Sequence, residues 1–501
     1  MNAANPRAGS PAGAQDEFEV AIVGAGFGGL CMAIRLREAG TRDFVILEKS
    51  HGVGGTWKDN SYPDSACDVP SHLYSFSFAP NPDWSRKWAK QPEILAYFES
   101  LVPRYGLGPH LRLGREVAEV VWSDDDQRWT LRTTDGHVVE ADVVVSGLGQ
   151  LNIPDIPDID GLGSFGGTMF HSARWRHDHD LRGERVGVIG IGASAIQFVP
   201  PIAAQARRLT LFQRSPNYVA PKRDRAFHPW ERWAFRHLPA VQGTYREWIY
   251  RRLEVNFNLM RRESRLGALL QKRFRKQIRP MVSERLPAEA LIPDYPPGCK
   301  RVLIANDWYP ALLRPDVEVV TTAVERVTPT GVVTADGREV PLDTLIFGTG
   351  FHTTEFLTPM KVSGRGGHDL NEVWGDGAVA YLGLSVSGFP NFFMLYGPNT
   401  NLGHNSILFM IEQQVGYVLA VLEEMGRRGS TAAEVTEGAL TRWDEEILRR
   451  SKDTVWAADC HSWYKTGNGR ITNNWIGHTT EYRKRMRHPI WPAWRFTRAP
   501  R

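Results

Sequence analysis

The chain has 501 residues, of which 42% are hydrophobic and 23% charged, a composition typical of a globular protein with two or three domains. A net charge of +4 gives no reason to expect a nucleic-acid partner, and no apolar run reaches the roughly 18 residues that a membrane span needs. Residues 1–16 are small and polar, so we expect a disordered tail there and no signal peptide. The four cysteines are far apart and form no CxxC pair, which indicates neither a disulfide framework nor a zinc site. We therefore expect a cytoplasmic protein without a bound metal.

The first structural element has the pattern of a dinucleotide-binding unit. Residues 18–23 form an apolar, β-branched run that predicts a buried parallel strand. Gly24, Gly26 and Gly29 follow in GxGxxG spacing, a helix pattern comes next, and a second strand ends at Glu48. These glycines permit a tight turn, close approach to a pyrophosphate and helix packing, while an acid at the end of the second strand accepts hydrogen bonds from ribose hydroxyls. This unit predicts a dinucleotide without a 2′-phosphate.

The same pattern recurs later in the chain with the opposite charge. Gly190, Gly192 and Ala195 stand in GxGxxA spacing between a predicted strand and helix. Arg214 lies 24 positions after Gly190, just as Glu48 lies 24 positions after Gly24. An Arg at this position favours a 2′-phosphate, so the second unit predicts NADPH; unrelated glycine turns are the alternative. The NADPH contacts expected from this unit are Gly190, Gly192, Ala193, Ser194, Ala195, Gln197, Arg214 and Ser215.

Other stretches of the chain connect and extend these units. Short strands are predicted within residues 111–147, and the last of them has a counterpart in residues 339–351, each ending in a glycine-rich turn. Residues 165–175 show neither a helix nor a strand pattern and are interpreted as a connector. Residues 222–285 hold 17 Lys and Arg against six Asp and Glu, with Trp and Leu at helical spacing, which predicts a helical insertion. Its basic face has two open interpretations: contact with a membrane surface or an acidic ligand, or a solvated face with Arg stems over apolar surface.

A glycine- and aromatic-rich segment, residues 52–78, follows the first unit. Gly54 and Gly55 allow close backbone approach to a cofactor. The rings of Trp57, Tyr62 and Tyr74 offer flat surfaces to a ring system, and Asp68 stands among apolar and aromatic residues. Taken alone, Asp68 could equally be a cap or turn residue, and Lys300 and Arg301 in GCKRVLIANDWYPAL could be an ordinary surface pair.

Taken together, these motifs resemble those of the type I Baeyer–Villiger monooxygenases, within the class B flavoprotein monooxygenases. The stretch 165–175, FGGTMFHSARW, fits the family form FxGxxxHxxxW, although Arg176 stands where the family has Pro or Asp. The family pattern (A/G)GxWxxxx(F/Y)P(G/M)xxxD is met from Gly54 to Asp68, except that Asp64 occupies the Gly/Met position. The Lys-Arg pair and a Gly-Thr-Gly turn at 348–350 also match. The matching signature residues are Phe165, Gly167, His171 and Trp175.

The resemblance implies an α/β protein with two Rossmann-like domains, one for FAD and one for NADPH, and a helical insertion in the NADPH domain. It implies conversion of ketones to esters or lactones through a C4a-peroxyflavin, with O₂ and a ketone as the small-molecule partners. Arg301 is the expected catalytic cation and Asp68 its positioning partner, while Lys300 supports the 2′-phosphate. His171 is expected to order the domains rather than to act as an acid or base. The expected FAD contacts are Gly24, Gly26, Gly29, Glu48, Gly55, Thr56, Trp57, Asp68, Tyr74 and Val117.

The resemblance also implies a domain order and a substrate pocket. Asn401 and His404 in a Gly/Pro/Asn-rich loop, and Trp463 in a loop at 460–467, are expected near the substrate. We expect a monomer or loose dimer with at most weak peripheral membrane contact. The expected divisions are a tail (1–16), the FAD domain (17–150 and 347–501), a linker with the first part of the NADPH domain (151–221), the insertion (222–298) and the second part of the NADPH domain (299–346).

Three other functions stay open at this point. N- or S-oxygenation would use the same cofactors but would need no stabilisation of a ketone adduct by Arg301. A flavin disulfide reductase shares the two nucleotide-binding units, but it needs a redox cysteine pair near the flavin, which the sequence does not indicate. A non-enzymatic dinucleotide-binding or membrane-surface protein would need none of Asp68, Lys300 and Arg301.

Overall fold

The computed structural model describes residues 16–375, 377–460 and 462–499. The tail predicted for residues 1–16 lies outside the described residues except for Asp16, which begins the first strand. The strands are β1 Asp16–Val23, β2 Phe44–Glu48, β3 Leu111–Leu113, β4 Val117–Ser123, β5 Arg128–Thr133, β6 Val138–Ser146, β7 Thr168–His171, β8 Arg185–Ile189, β9 Arg208–Phe212, β10 Val219–Ala220, β11 Leu303–Ile304, β12 Val317–Val320, β13 Val324–Thr328, β14 Gly331–Thr334, β15 Glu339–Pro341, β16 Thr344–Phe347, β17 Lys361–Ser363, β18 Phe392–Met394, β19 Ala432–Val435 and β20 Trp494–Thr497.

Helices alternate with these strands, as the α/β prediction requires, and short 3₁₀ turns join several of them. The α-helices are α1 Phe27–Glu38, α2 Thr56–Asp59, α3 Gln91–Arg104, α4 Ala195–Ala203, α5 Pro229–His237, α6 Pro239–Glu254, α7 Arg265–Ile278, α8 Ala288–Leu291, α9 Trp308–Leu312, α10 Leu370–Trp374, α11 Ile407–Arg428, α12 Glu437–Ser451 and α13 Thr479–Arg487.

The first sheet is built around β1, whose apolar run is buried on both faces. Its strand order is β17-β4-β5-β6-β1-β2-β3, and β18 also pairs with β6. Val20 and Ile22 pack into a core formed with α1 and α11, while Ala21 and Val23 pack into a second core on the opposite face. This alternation is the side-chain period of a strand covered on both sides. Strands from early and late in the chain therefore share one sheet.

The second sheet is all-parallel, in the order β12-β9-β8-β16-β7. The interpretation of residues 165–175 as a connector is wrong for their central part, because Thr168–His171 pairs with Thr344–Phe347 as the edge strand of this sheet. The four-residue run TMFH is too short to show the alternation of apolar and polar side chains that predicts a strand. The predicted strand over 339–351 is also divided: β15 belongs to a small antiparallel sheet and β16 to this parallel one.

The two glycine turns have matching geometry. Gly24 and Gly190 have φ of 97° and 98°, values that favour glycine. A Cβ atom on Gly24 would lie 3.2 Å from the carbonyl oxygen of Gly147, and one on Gly190 would lie 2.5 Å from that of Gly348. Gly147 and Gly348 directly follow β6 and β16, the strands predicted as counterparts. Each of the two glycine turns is thus closed by a glycine that directly follows a neighbouring strand.

Helices α5 to α8 form the insertion between β10 and β11, and α11 returns the chain to the first sheet, where it packs on α1. Within the described residues, no helix combines the length and apolar character that crossing a bilayer demands.

Candidate active site

An open cleft of about 1320 Å³, a volume that includes the solvent at its mouth, runs along the carboxyl edge of the first sheet. Such a position, outside the carboxyl ends of parallel strands, is where doubly wound folds bind nucleotides. Most of the predicted FAD contacts line this cleft: Gly24, Gly26, Glu48, Gly55, Thr56, Trp57, Tyr74 and Val117.

The glycines of the cleft leave room for a pyrophosphate. A Cβ on Gly29 would overlap the carbonyl oxygen of Gly24, so α1 approaches the turn as closely as glycine allows. A Cβ on Gly26 would meet only the Cα of Gly55, at 3.8 Å, and both residues line the cleft. The N-terminus of α1 begins at Phe27 beside this space. Backbone N–H groups and the helix dipole therefore face the position that suits the phosphates of FAD.

Replacing Gly29 by alanine is expected to reduce flavin affinity about 5- to 150-fold, because overpacking against a rigid turn costs about 1–3 kcal/mol. The measurement is visible flavin absorbance per mole of purified protein during a titration with FAD. Gly416→Ala in α11 is the matched control, since no side chain lies within 4 Å of the position that its Cβ would take, and it should retain full flavin. Full flavin affinity in Gly29→Ala would contradict the role given to this turn.

Glu48 ends β2 with its side chain buried at the cleft. Its Oε2 accepts a hydrogen bond from the Ala25 N–H at 2.6 Å, and its Oε1 accepts one from the Ser50 N–H at 2.8 Å. These bonds hold the carboxylate between the glycine turn and the end of β2, and each oxygen keeps a further lone pair. The geometry suits an acceptor for ribose hydroxyls.

The aromatic residues predicted as flavin platforms occupy two places. Trp57 Nε1 donates a hydrogen bond to the Tyr74 hydroxyl at 3.1 Å, and both residues line the cleft. Tyr62 does not lie there: its ring packs on Phe198 of α4, 5.8 Å between centroids, within the core of the second sheet. Its role as a ring platform for the cofactor is therefore wrong, because the chain between Trp57 and Tyr74 crosses to the second domain.

Asp68 and Arg301, 233 positions apart, meet beside the cleft. Asp68 Oδ2 accepts hydrogen bonds from Arg301 Nε at 3.3 Å and Nη2 at 3.2 Å. Burial disfavours the charged guanidinium, but Asp68 outweighs it and raises the pKa of Arg301, so Arg301 stays a cation. The other carboxylate oxygen, Oδ1, is buried without a hydrogen-bond partner among the described residues. The pair therefore retains bonding capacity for a ligand.

Two tyrosines that the sequence analysis missed surround Arg301. Burial raises the pKa of Tyr464 to about 12, and the Arg301 charge opposes this rise; burial also raises the pKa of Tyr396, with Arg301 again opposing. Tyr396 lines the cleft, which places Arg301 at its margin. Neither tyrosine stands in a recognised motif, but Tyr396 directly precedes the Gly397-Pro398 turn, a signal that could have pointed to it.

The second glycine turn has a cluster of basic residues nearby. Lys300 Nζ donates a hydrogen bond to Ser215 Oγ at 2.8 Å. Burial lowers the pKa of Lys300; Asp294 opposes this shift and the positive charge of Arg214 adds to it. Within the described part of the chain, neither Lys300 nor Arg214 forms an ion pair with an acid. Lys300, Arg214 and the Ser215 hydroxyl therefore lie close together, and the sequence analysis predicted a 2′-phosphate at this position.

Gln197 has contacts other than those predicted. Its Oε1 accepts hydrogen bonds from the Ala66 N–H at 3.0 Å and the Tyr62 hydroxyl at 3.2 Å, and its Nε2 donates to the Ala66 carbonyl at 3.0 Å. The side chain therefore joins α4 to the segment between Trp57 and Asp68. Gly190, Gly192, Ala193, Ser194 and Ala195 do form the turn and the start of α4.

The signature residues form part of the second domain. Phe165 lies in the core near β16, while the Phe170 and Trp175 rings contact each other and Trp175 packs on α4. A Cβ on Gly167 would overlap the Asp343 carbonyl oxygen, which explains the glycine. His171 is buried, and its Nδ1 accepts a hydrogen bond from the Ala173 N–H at 3.1 Å. Burial lowers its pKa to about 4, so His171 is neutral, as suits an ordering residue.

The two departures from the family patterns have local explanations. Asp64 has a φ of 61°, a value that glycine adopts freely and aspartate tolerates, and its Oδ1 accepts a hydrogen bond from Lys90 Nζ. Arg176 is an exposed residue whose guanidinium donates to both oxygens of Asp178, at 2.9 and 2.8 Å.

The predicted substrate residues lie in three surroundings. Asn401 Oδ1 accepts a hydrogen bond from the Tyr396 hydroxyl at 2.7 Å, and its Nδ2 donates to Asn474 Oδ1 at 2.7 Å, which places Asn401 next to the Arg301 region. His404 is buried, with its Nε2 3.7 Å from Glu254 of the insertion. The Trp463 ring lies 4.3 Å from that of Tyr464.

The expectation of no disulfide is wrong. Cys299 and Cys460, separated by 161 positions, are bonded, with their Cα atoms 6.6 Å apart. Spacing along the sequence could not reveal a pair that only the fold brings together. The bond lies in a cluster with Tyr218, Trp456 and Tyr464, not along the cleft, so it is not placed as the redox pair of a flavin disulfide reductase. It does link the turn that precedes Lys300 and Arg301 to the Trp463 loop.

Comparisons with known proteins agree with this arrangement. Residues 21–245 match the family model described as pyridine nucleotide-disulphide oxidoreductase, and the match ends before either bonded cysteine. A Baeyer–Villiger monooxygenase from Streptomyces coelicolor is 45% identical over 476 residues, covering 94% of this chain and 91% of that protein. Among solved structures, an oxidized steroid monooxygenase bound to NADP is 32% identical with a TM-score of 0.86, covering 96% of this chain and 99% of that one. An OTEMO complex with FAD and NADP is 29% identical with a TM-score of 0.88, covering 97% and 100% of the respective chains.

The chain thus has two glycine turns, a matched acid and base, and the Asp68–Arg301 pair. The relative and the solved structures named above align with more than nine-tenths of it. The chain belongs to the Baeyer–Villiger monooxygenase family.

Proposed function

We propose that the protein oxidises ketones to esters or lactones with NADPH and O₂, using FAD bound in the cleft of the first sheet. The observation that carries this proposal is the Asp68–Arg301 pair at the margin of that cleft. N- or S-oxygenation would need no fixed cation there. A disulfide reductase would need a cysteine pair lining the cleft, whereas the Cys299–Cys460 disulfide does not line it.

FAD and the side chains around it would have different chemical roles in the reaction. The residues of the cleft would hold FAD, which would supply the redox chemistry that activates dioxygen. Arg301 stabilises negative charge as it develops on the reacting oxygen atoms, because a fixed cation in a partly buried site needs little reorganisation. Asp68 is a positioning residue that holds the guanidinium through Nε and Nη2. Tyr396 and Tyr464 restrict the water around it.

The second domain would select and order NADPH. Lys300, Ser215 and Arg214 bind the 2′-phosphate, and the turn at Gly190 receives the pyrophosphate at the start of α4. Gln197 joins this helix to the segment that ends at Asp68, so a shift of the NADPH domain is transmitted toward Arg301. His171, beside the 348–350 turn, supports that coupling as a conformational residue.

Several finer assignments accompany this proposal. We propose the domain divisions stated above, with residues 17–150 and 347–501 binding FAD and residues 151–221 and 299–346 binding NADPH. Asn401, His404 and Trp463 are proposed to border the ketone pocket. The cytoplasmic location and the monomeric or loosely dimeric state stay predictions.

The function is tested with purified protein loaded with FAD. A panel of aryl, alicyclic, long-chain and steroid ketones should include members that accelerate NADPH oxidation and yield an ester or lactone detected by mass spectrometry. If no ketone in the panel gave either product while a sulfide or amine was oxygenated efficiently, the N- or S-oxygenase alternative would replace this one.

A further inference from the structure

The insertion carries most of the exposed large apolar side chains of the described chain. Sixteen such side chains are exposed in the described residues, and nine of them lie between residues 230 and 270. Trp230, Trp233 and Trp248 are 68%, 59% and 52% exposed, unusual values for the largest apolar side chain. The other members are Leu238, Val241, Val255, Leu266, Leu269 and Leu270. We call these nine residues the insertion surface.

Helices α5 and α6 turn one face inward and this surface outward. In α5, Phe235 is buried against Phe227 and His72, while Trp230 and Trp233 share the opposite face. In α6, Ile249 and Tyr250 are buried and contact the core near Leu73 and Phe409. Both helices thus bury their inner faces on the same body, and their outer faces point away from it.

The outer face of α6 has a regular pattern. Val241, Trp248 and Val255 follow one another at intervals of seven, which places them along one stripe. Arg252 lies in the same stripe, with its guanidinium carbon 5.4 Å from the centre of the Trp248 ring. Tyr245 stacks between Trp248 and Phe235, which ties this stripe to α5.

The next helix of the insertion, α7, is strongly basic. Leu266, Leu269 and Leu270 are exposed on one side, and Lys272, Arg273 and Lys276 are exposed on the same or flanking positions. Residues 261–279 contain eight Lys and Arg and a single acid. In the described residues, none of Lys272, Arg273 and Lys276 has an ion-pair partner. The insertion therefore combines exposed apolar side chains with uncompensated positive charge on α7.

We propose that the insertion surface docks the protein onto an anionic lipid bilayer. Trp and Leu side chains beside Lys and Arg are the composition of helices that lie in a membrane interface, where indole rings sit at headgroup level and cations pair with lipid phosphates. A second copy of the chain is a poorer occupant. A two-fold interface would bring the same basic surface against itself and repel.

The insertion surface lies close in the chain to a residue that contacts the proposed substrate pocket. The turn after α6 begins at exposed Val255 and leads to Phe257, whose ring lies 5.2 Å from His404. A bilayer at the surface therefore lies on the side of the protein that holds a proposed substrate residue. This relation rests on the proposed function, whereas the docking itself does not.

The docking is tested by co-sedimentation of the FAD-loaded full chain with vesicles of phosphatidylcholine alone or mixed with phosphatidylglycerol. We expect binding to the mixed vesicles, little binding to phosphatidylcholine alone, and loss of binding in high salt. The triple variant Trp230→Ser, Trp233→Ser, Trp248→Ser should bind the mixed vesicles at least about tenfold less tightly. The double variant Lys272→Glu, Arg273→Glu should lose the preference for phosphatidylglycerol.

The control variant replaces three exposed apolar residues elsewhere, Ile156→Ser, Val373→Ser and Ile490→Ser, and should bind as the unmodified protein does. Flavin content and NADPH oxidation, unchanged in all variants, show that each is folded, so a failure of docking is distinct from a failure of the proposed function. The docking is overturned if the unmodified protein binds no vesicle or if the control variant loses binding equally. It is also overturned if light scattering shows a dimer that only the tryptophan variant abolishes, because the surface then binds a second copy.

Discussion

Replacing Arg301 by alanine is expected to leave FAD bound and reducible by NADPH while ester formation falls at least about 1,000-fold. The reason is the position of the guanidinium: it is held by two hydrogen bonds to Asp68 at the margin of the cleft, and no other described cation is bonded to Asp68. Without it, charge developing on the reacting oxygens has no fixed counter-ion, and NADPH oxidation should yield hydrogen peroxide. Stopped-flow reduction of the flavin, ester yield and peroxide yield are the three measurements.

Two control variants sharpen this test. Arg314→Ala breaks a surface Arg–Asp ion pair, with Asp316, just before the edge strand β12 of the second sheet, and should change none of the three quantities. Arg301→Lys keeps the charge but loses the planar array of donors that fits Asp68, so it should restore only part of the ester yield. Normal ester formation by Arg301→Ala would show that the role given to Arg301 is wrong.

Replacing Arg214 by alanine is expected to lower kcat/KM for NADPH about 10- to 100-fold while leaving that for NADH within about twofold. Only NADPH carries the 2′-phosphate, and a hydrogen bond to a charged group contributes about 1.5–3 kcal/mol. Lys300 and Ser215 remain in place in this variant, so the turnover rate at saturating NADPH should stay near normal.

The matched control for Arg214 is Arg208→Ala. Arg208 begins β9, the strand that precedes Arg214, but it pairs with Glu318 at 2.8 Å and is not part of the basic cluster. The Arg208→Ala variant should have the same ratio of kcat/KM for NADPH to kcat/KM for NADH as the unmodified protein. An equal loss with both coenzymes in Arg214→Ala would remove Arg214 from the 2′-phosphate site.

Much of this architecture could be predicted from local sequence. The glycine turns at Gly24 and Gly190 follow apolar strands and precede helices, and their φ angles and closing glycines agree with the expected turns. The pairing of Asp68 with Arg301 followed from family motifs rather than from spacing, since 233 positions separate the two residues. Periodicity and motif context are local properties, and they sufficed for the two glycine turns, whereas the Asp68–Arg301 pair required the family resemblance.

Other features depend on contacts between distant segments. Cys299 meets Cys460, and Gln197 meets Ala66, only because the two domains are folded against each other. Tyr464 adjoins Arg301 for the same reason. The strand Thr168–His171 is too short to show a period, and it is stabilised by pairing with Thr344–Phe347. Contacts between residues that are far apart in the sequence leave no local pattern, so these contacts could not be predicted from the sequence.

In the proposed reaction, one oxygen atom of O₂ enters a ketone in a site ordered by Asp68 and Arg301. Its most direct test is to supply isotopically labelled O₂ to the FAD-loaded protein with NADPH and an accepted ketone, and to analyse the product by mass spectrometry. We predict an ester or lactone that carries one labelled oxygen atom in the unmodified protein and no such product in Arg301→Ala. An unlabelled ester, or a labelled ester formed at an undiminished rate by the variant, would contradict the claim.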